Sequence, residues 1–158
     1  MLPGVVGVAG VAGGADGLWR CPACGRGFAN RNQTHTCAPL AGLDAQLAGR
    51  SPEVVETFWR LLRAAERNGP VTVLPERTRI AFQVRMSFAA VSLRRHHLVG
   101  HVVLARRLDD PRFTRIEVYS PRNVLHAFRL DSPDDVDEQV AGWLAEAYEV
   151  GAQRHLRR

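Results

Sequence analysis

The chain contains no lysine, only three cysteines, and no apolar run that approaches the roughly 20 residues of a membrane-spanning helix. Three cysteines within one short segment are too few for the disulfide framework of a secreted domain, so we expect a reducing compartment. Residues 1–17 are rich in Gly, Ala and Val but lack the basic start of a signal peptide, and we interpret them as a flexible leader. These absences predict a cytoplasmic protein with no membrane association.

The rest of the composition is typical of one globular domain with a small appendage. The chain has 158 residues, of which 46% are hydrophobic and 23% are charged, and its formal net charge is +5. Because every basic residue is arginine, arginine abundance says little about function. Any inference about function must therefore come from the positions of the arginines in the sequence.

Residues 18–38 carry a candidate metal site. Cys21, Cys24, His35 and Cys37 follow the spacing C-x2-C-x10-H-x-C, a donor set that suits tetrahedral zinc, and Gly25 permits the positive φ that the turn after the second cysteine often needs. Four protein ligands leave no position for a reactive water, so the predicted zinc is structural. The alternative is three reduced, buried cysteines and a surface histidine.

Two further features describe the predicted zinc module. Trp19 and Phe28 are expected to form its small apolar cap. A single residue separates His35 from Cys37, unlike the wider histidine spacing of a Cys2His2 finger, so we do not predict a base-reading recognition helix.

After a linker at residues 39–50, residues 51–158 have the pattern of an α+β domain. Ser51-Pro52 predicts a helix start and Asn68-Gly69-Pro70 its end, and a second amphipathic helix is predicted from Ser132-Pro133. Alternation over residues 80–88 predicts a strand or a hairpin, and further strands are predicted at 98–106, 113–119 and 124–130. The fold class is therefore α+β: a mainly antiparallel meander of four or five strands flanked by two amphipathic helices, plus the zinc-finger-like module.

Charge is unevenly distributed along this domain. Residues 77–129 contain eleven arginines and three acids, whereas residues 131–149 contain seven acids and no arginine. Clustered arginine is typical of a nucleic-acid or phosphate binder. An alternative is that the acidic helix lies beside the basic sheet and neutralises it. The candidates for phosphate contact are Arg79, Arg85, Arg94, Arg95, Arg106 and Arg107.

A polar strand face suggests a third possibility. Arg79, Gln83 and Arg85 are predicted to share one face, which His101 or His126 could join if their strands are neighbours. Such a face could hold a small anionic substrate of an enzyme. The sequence contains no nucleophile elbow, Walker loop, H-E-x-x-H or dinucleotide-binding glycine motif.

Several runs resemble the bacterial domain of unknown function 5655 family. They are residues 71–75, residues 79–91, and the closing set Asp137, Trp143, Leu144, Ala147 and Tyr148. Some members also carry a short Cys/His finger, so the resemblance covers residues 18–156. It implies the fold and the finger but no reaction. Our leading hypothesis is a structural-zinc protein that binds nucleic acid or another polyanion; the alternative is a protein-interaction adaptor without a nucleic-acid role.

Overall fold

A computed structural model describes residues 17–22, 25, 27–31 and 42–156. The chain divides into two compact units, residues 1–39 and residues 40–158. Within the described residues, none of the helices has the length and apolar character needed to cross a bilayer.

The first unit contains a short hairpin. Strands β1 (Trp19–Arg20) and β2 (Gly27–Phe28) pair antiparallel, with Trp19 opposite Phe28. The two rings lie 6.1 Å apart between centroids, and Phe28 is buried together with Leu18. The predicted contact between the two aromatic residues is confirmed.

The second unit begins with two helices, α1 (Leu43–Leu47) and α2 (Pro52–Glu66). The hydroxyl of Ser51 accepts a hydrogen bond from the N–H of Val54 at 3.2 Å, as the predicted helix start requires. The chain leaves α2 through Gly69, whose φ of +139° is open to glycine and strained for other residues. The helix α1 lies in the segment that the sequence analysis assigned to the linker.

The last helix, α3 (Glu138–Gly151), begins later than Ser132-Pro133, so that predicted start is wrong. Ser132 caps a separate 3-10 turn, Pro133–Asp135, and the carboxylate of Asp135 accepts the N–H of Ser132 in return. Val136 then leaves the helical region, and Asp137 provides a second cap by accepting the N–H of Val140 at 3.0 Å. The two capping residues, Ser132 and Asp137, thus divide this acidic segment between a short 3-10 helix and the start of α3.

A single antiparallel sheet joins six strands, rather than the four or five predicted. Residues 80–88 hold the turn of a hairpin rather than one strand, and a short strand precedes it. The strands are β3 (Thr72–Pro75), β4 (Ile80–Gln83), β5 (Ser87–Leu93), β6 (Leu98–Leu104), β7 (Phe113–Ser120) and β8 (Asn123–Leu130).

The strand order is β3-β4-β5-β6-β8-β7, so the predicted simple meander fails between β6 and β7, which are not neighbours. Strand β8 lies between β6 and β7, and β7 forms the edge. Burial explains the exchange: five consecutive residues of β8 are buried, whereas most of β7 is exposed. The more apolar strand therefore occupies the interior position, where both of its sides are paired.

Helices α2 and α3 pack on one face of the sheet, which confirms the two-layer α+β arrangement. Their apolar residues form one core with the inward residues of the strands, and the largest fully buried side chains include Phe58, Phe82, Phe88, Tyr148 and Leu144. On the opposite face Leu74, Ala81 and Ala90 form a small buried cluster. This is the face that carries Gln83, so it is not formed by polar residues alone.

Candidate polyanion-binding site

The six candidate arginines lie at two opposite ends of the sheet. Antiparallel pairing of Ile80 with Val91 and of Leu93 with Leu98 places the β3–β4 and β5–β6 turns at the same end. Arg79, Arg94 and Arg95 belong to these turns. Arg85, Arg106 and Arg107 follow the other ends of β4 and β6. The candidates therefore form two separate groups.

We call Arg77, Arg79, Arg94 and Arg95 the basic end. All four are exposed, and Ser92 links their two turns because its hydroxyl donates to the carbonyl of Thr78 at 3.1 Å. Arg77, Arg94 and Arg95 have no ion-pair partner among the described residues, while Arg79 Nε lies 3.5 Å from Glu76 Oε1. Arg77 was not among the predicted candidates, although its position in a tight turn beside Arg79 is a usable signal.

At the opposite end the arginines have partners. Arg106 makes a two-pronged contact with the carboxylate of Glu146 at 2.8 and 3.2 Å. Arg107 Nε donates to Asp109 at 3.0 Å, and Arg85 Nε donates to the side-chain oxygen of Gln153 at 3.2 Å. The neutralisation considered in the sequence analysis therefore applies at this end of the sheet, where the acid on α3 pairs with Arg106.

The predicted polar face forms only in part. Arg79 and Arg85 lie in the turns before and after β4, so neither shares a strand face with Gln83. His101 pairs with Ala127, whereas His126 pairs with Val102, a core residue, so the two histidines point to opposite faces. His101 joins the face that carries Gln83, and His126 does not.

His126 is a structural residue of the helix-packed core. It is fully buried, its Nε2 accepts the N–H of Leu108 at 2.9 Å, and its Nδ1 donates to the carbonyl of Val124 at 3.0 Å. Burial lowers its pKa, and the hydrogen bond to Val124 opposes that effect only in part. Both ring nitrogens therefore bind backbone groups of the domain itself.

His101 lies partly buried in the outer face, between Ala90 and Ala127. Burial, followed by the positive charges of Arg79 and Arg115, lowers its pKa to about 4, although Glu117 acts in the opposite direction. His101 is therefore neutral at physiological pH. It contributes no positive charge to this face.

Two shallow cavities lie in the groove between α2 and α3, with volumes of about 190 and 260 Å³. Ala64, Ala141 and Gly142 contribute to their walls, and Arg67 and Glu138 contribute charge. These cavities are on the helical side of the sheet, away from His101. No histidine lines either cavity, so neither adds support to the enzyme hypothesis.

Of the four predicted zinc ligands, the structure describes only Cys21. It is buried, and its carbonyl accepts the N–H of Gly25 at 2.8 Å. Gly25 adopts the predicted positive φ, at +73°. Cys24, His35 and Cys37 lie outside the described residues. Among the residues that are described, no three His, Cys, Asp or Glu side chains form a metal-binding group.

Residues 43–151 match the sequence profile of the family described as Domain of unknown function (DUF5655). The chain belongs to this family. The match includes α1 and both long helices, and it excludes the Cys/His segment. No curated protein and no solved structure was found to match the chain.

Proposed function

We propose that this DUF5655 domain binds a polyanion, nucleic acid foremost, through its basic end. The main support for this proposal is that two neighbouring turns expose Arg77, Arg94 and Arg95, which have no acidic partner among the described residues. Guanidinium groups contact phosphates through fixed pairs of N–H donors. Three such groups on a rigid sheet end are suited to a repeating phosphate backbone.

The form of the site favours sequence-tolerant binding. The basic end consists of turns, and the described residues there offer no helix that could enter a major groove. Contacts with phosphates position a protein on nucleic acid but do not read the bases. Recognition of backbone charge therefore accounts for the site better than recognition of a base sequence.

The salt dependence of such binding can be stated in advance. Three phosphate contacts give a log–log slope of about −2.7 for duplex DNA, which is roughly a 40-fold loss of affinity between 50 and 200 mM salt. Loss of two contacts leaves a slope of about −0.9. Dehydrated, packed contacts with a protein partner would show a much weaker dependence.

The test is fluorescence anisotropy of the full chain with labelled single-stranded DNA, duplex DNA and RNA over a salt series. The double variant R94A/R95A should lose most of the affinity at low salt and most of the slope. R106A/R107A removes the same charge at the opposite end and should retain both. Absence of binding at low salt, or equal losses in the two double variants, would refute the proposal.

The same chain is proposed to hold structural zinc through Cys21, Cys24, His35 and Cys37. The support is the donor set, together with the turn from Cys21 to Gly25 and its positive φ. Three thiolates and one imidazole are the ligands that zinc prefers in closed tetrahedral sites. When bound, the ion would cross-link the short segment and stabilise its fold.

Metal analysis of the purified full chain tests this second proposal. About one zinc per chain is expected, falling to nearly none in C21S, because a site with one ligand missing binds far more weakly. His96→Ala removes a histidine outside the ligand set and should leave the zinc content unchanged. A metal-free wild-type protein after purification without chelators would overturn the assignment.

A further inference from the structure

Strand β7 forms a long open edge of the sheet. In the described part of the chain β7 pairs only with β8, in a register that is regular from Arg115 to Val118 and shifts on either side, so the outer side of this regular segment presents unpaired N–H and C=O groups. The other edge, β3, has only four residues and ends in Pro75. On β7, Val118 and Tyr119 are 57% and 62% exposed. The β7 edge lacks the proline that protects β3.

The charges on β7 suit pairing with a second copy of the same strand. Arg115 and Glu117 flank Ile116, point to one face of the sheet, and contact each other at 3.2 Å. In an antiparallel pair centred on Ile116, each Arg115 lies opposite the Glu117 of the other copy. Opposite charges at directly facing positions stabilise antiparallel strands.

The register is selective. Along each edge, every second residue points its N–H and C=O groups outward. Two copies can form hydrogen bonds only when these outward residues lie opposite each other, so one strand can slide along the other only in steps of two residues, and each step moves the centre of the pair by one residue. Centring the pair on Arg115 places the two Arg115 side chains opposite each other, and centring it on Glu117 does the same for the two glutamates. Among these three neighbouring registers, only the one centred on Ile116 places opposite charges face to face.

We propose that β7 is a dimerisation edge: two chains pair antiparallel and symmetrically through β7, centred on Ile116, to form one continuous sheet. A two-fold axis through the centre makes the interface self-complementary. The cross-strand pairs use none of the arginines of the basic end. Tyr119 supports the arrangement because its hydroxyl donates to Glu117 at 2.6 Å and holds that carboxylate on the strand.

Sedimentation equilibrium of the full chain over a range of concentrations tests the proposal. The wild type should dimerise. R115E and E117R should each raise the dimer dissociation constant about tenfold or more, because both cross-strand pairs become repulsive. R122E changes the same charge in the exposed β7–β8 turn, where Arg122 has no ion-pair partner among the described residues, and should dimerise as the wild type does.

Two rescue experiments separate charge pairing from damage to the fold. The swapped variant R115E/E117R restores both pairs and should recover dimerisation. An equimolar mixture of R115E and E117R should form heterodimers, since the two acidic side chains of one copy then face the two basic side chains of the other. A monomeric wild type at the highest concentration, single variants that dimerise normally, or failure of both rescues would overturn the proposal.

Discussion

Gly151 is a position in α3 where the neighbouring atoms leave no room for a side chain. A Cβ added there would lie 2.8 Å from the Cβ of Phe88 and 3.0 Å from the carbonyl oxygen of Met86. Neither atom is the free end of a flexible side chain. The carbonyl of Gly151 also accepts the N–H of Met86 at 2.9 Å, which fixes the end of α3 against the β4–β5 turn. Gly151→Ala should therefore force a shift of backbone.

The magnitude follows from two opposing effects. Overpacking of this kind costs about 1–3 kcal/mol. Alanine recovers at most about 1 kcal/mol of helix propensity, and less at the last residue of a helix. We expect Gly151→Ala to lower the free energy of unfolding by about 2 kcal/mol.

Gly142 provides a matched control in the same helix. It is exposed, and an added Cβ would have nothing within 4 Å, so Gly142→Ala should raise the free energy of unfolding by about 0.5–1 kcal/mol. Urea unfolding followed by tryptophan fluorescence measures both variants. If the two substitutions change stability in the same direction, the account of the packing between α3 and β5 is wrong.

Three further predictions concern polar groups. Because the folded-state pKa of His101 is about 4 and the unfolded value is about 6.5, the stability it contributes is present above pH 6.5 and is lost as the pH falls through 4. His101→Gln should flatten the pH dependence of unfolding by about 3 kcal/mol, and an unchanged profile would contradict this. Tyr148→Phe removes the hydroxyl that donates to Pro70 at 2.9 Å and should cost about 1–2 kcal/mol in urea unfolding; a cost near zero would show that water replaces it. Arg112→Ala breaks the contacts of one guanidinium nitrogen with the carboxylate of Asp137 and of the other with the carbonyl of Asp135, and should lower the thermal midpoint, whereas a lysine that restored it fully would show that the second contact adds nothing.

The helix starts show how far local signals reach. Ser51 caps α2 as predicted, because its hydroxyl accepts the N–H of Val54 and proline is well suited to the first helical position. The same signal at Ser132 produced only a 3-10 turn, since the chain leaves the helical region at Val136 and Asp137, five residues after Ser132, caps α3 instead. A sequence pattern predicts that a cap is present, but it does not decide between caps that lie so close together.

Strand order depended on information that no single segment holds. Residues 113–119 and 124–130 were each predicted as strands, yet which of them lies at the edge depends on their relative burial against β6. Four of the five residues from Val124 to Phe128 are apolar, and only His126 is not. This run was the available signal that residues 124–130 form the interior strand. His126 obscured it, because a histidine suggests an exposed face, whereas this one is fully buried with both ring nitrogens bonded.

Charge separation along the chain does not become charge separation on the surface. The acidic segment after residue 130 folds back along one side of the domain, where Arg106 meets Glu146, Arg112 meets Asp137 and Arg129 meets Asp131. These partners lie 40, 25 and 2 residues apart, so only the third pair could be anticipated locally. The excess of arginine that the sequence distributes over residues 77–129 therefore remains unpaired chiefly in the β3–β4 and β5–β6 turns. Binding of a polyanion to this domain should consequently depend on Arg77, Arg94 and Arg95 and should not depend on Arg106, Arg112 and Arg129, which the acidic segment already neutralises.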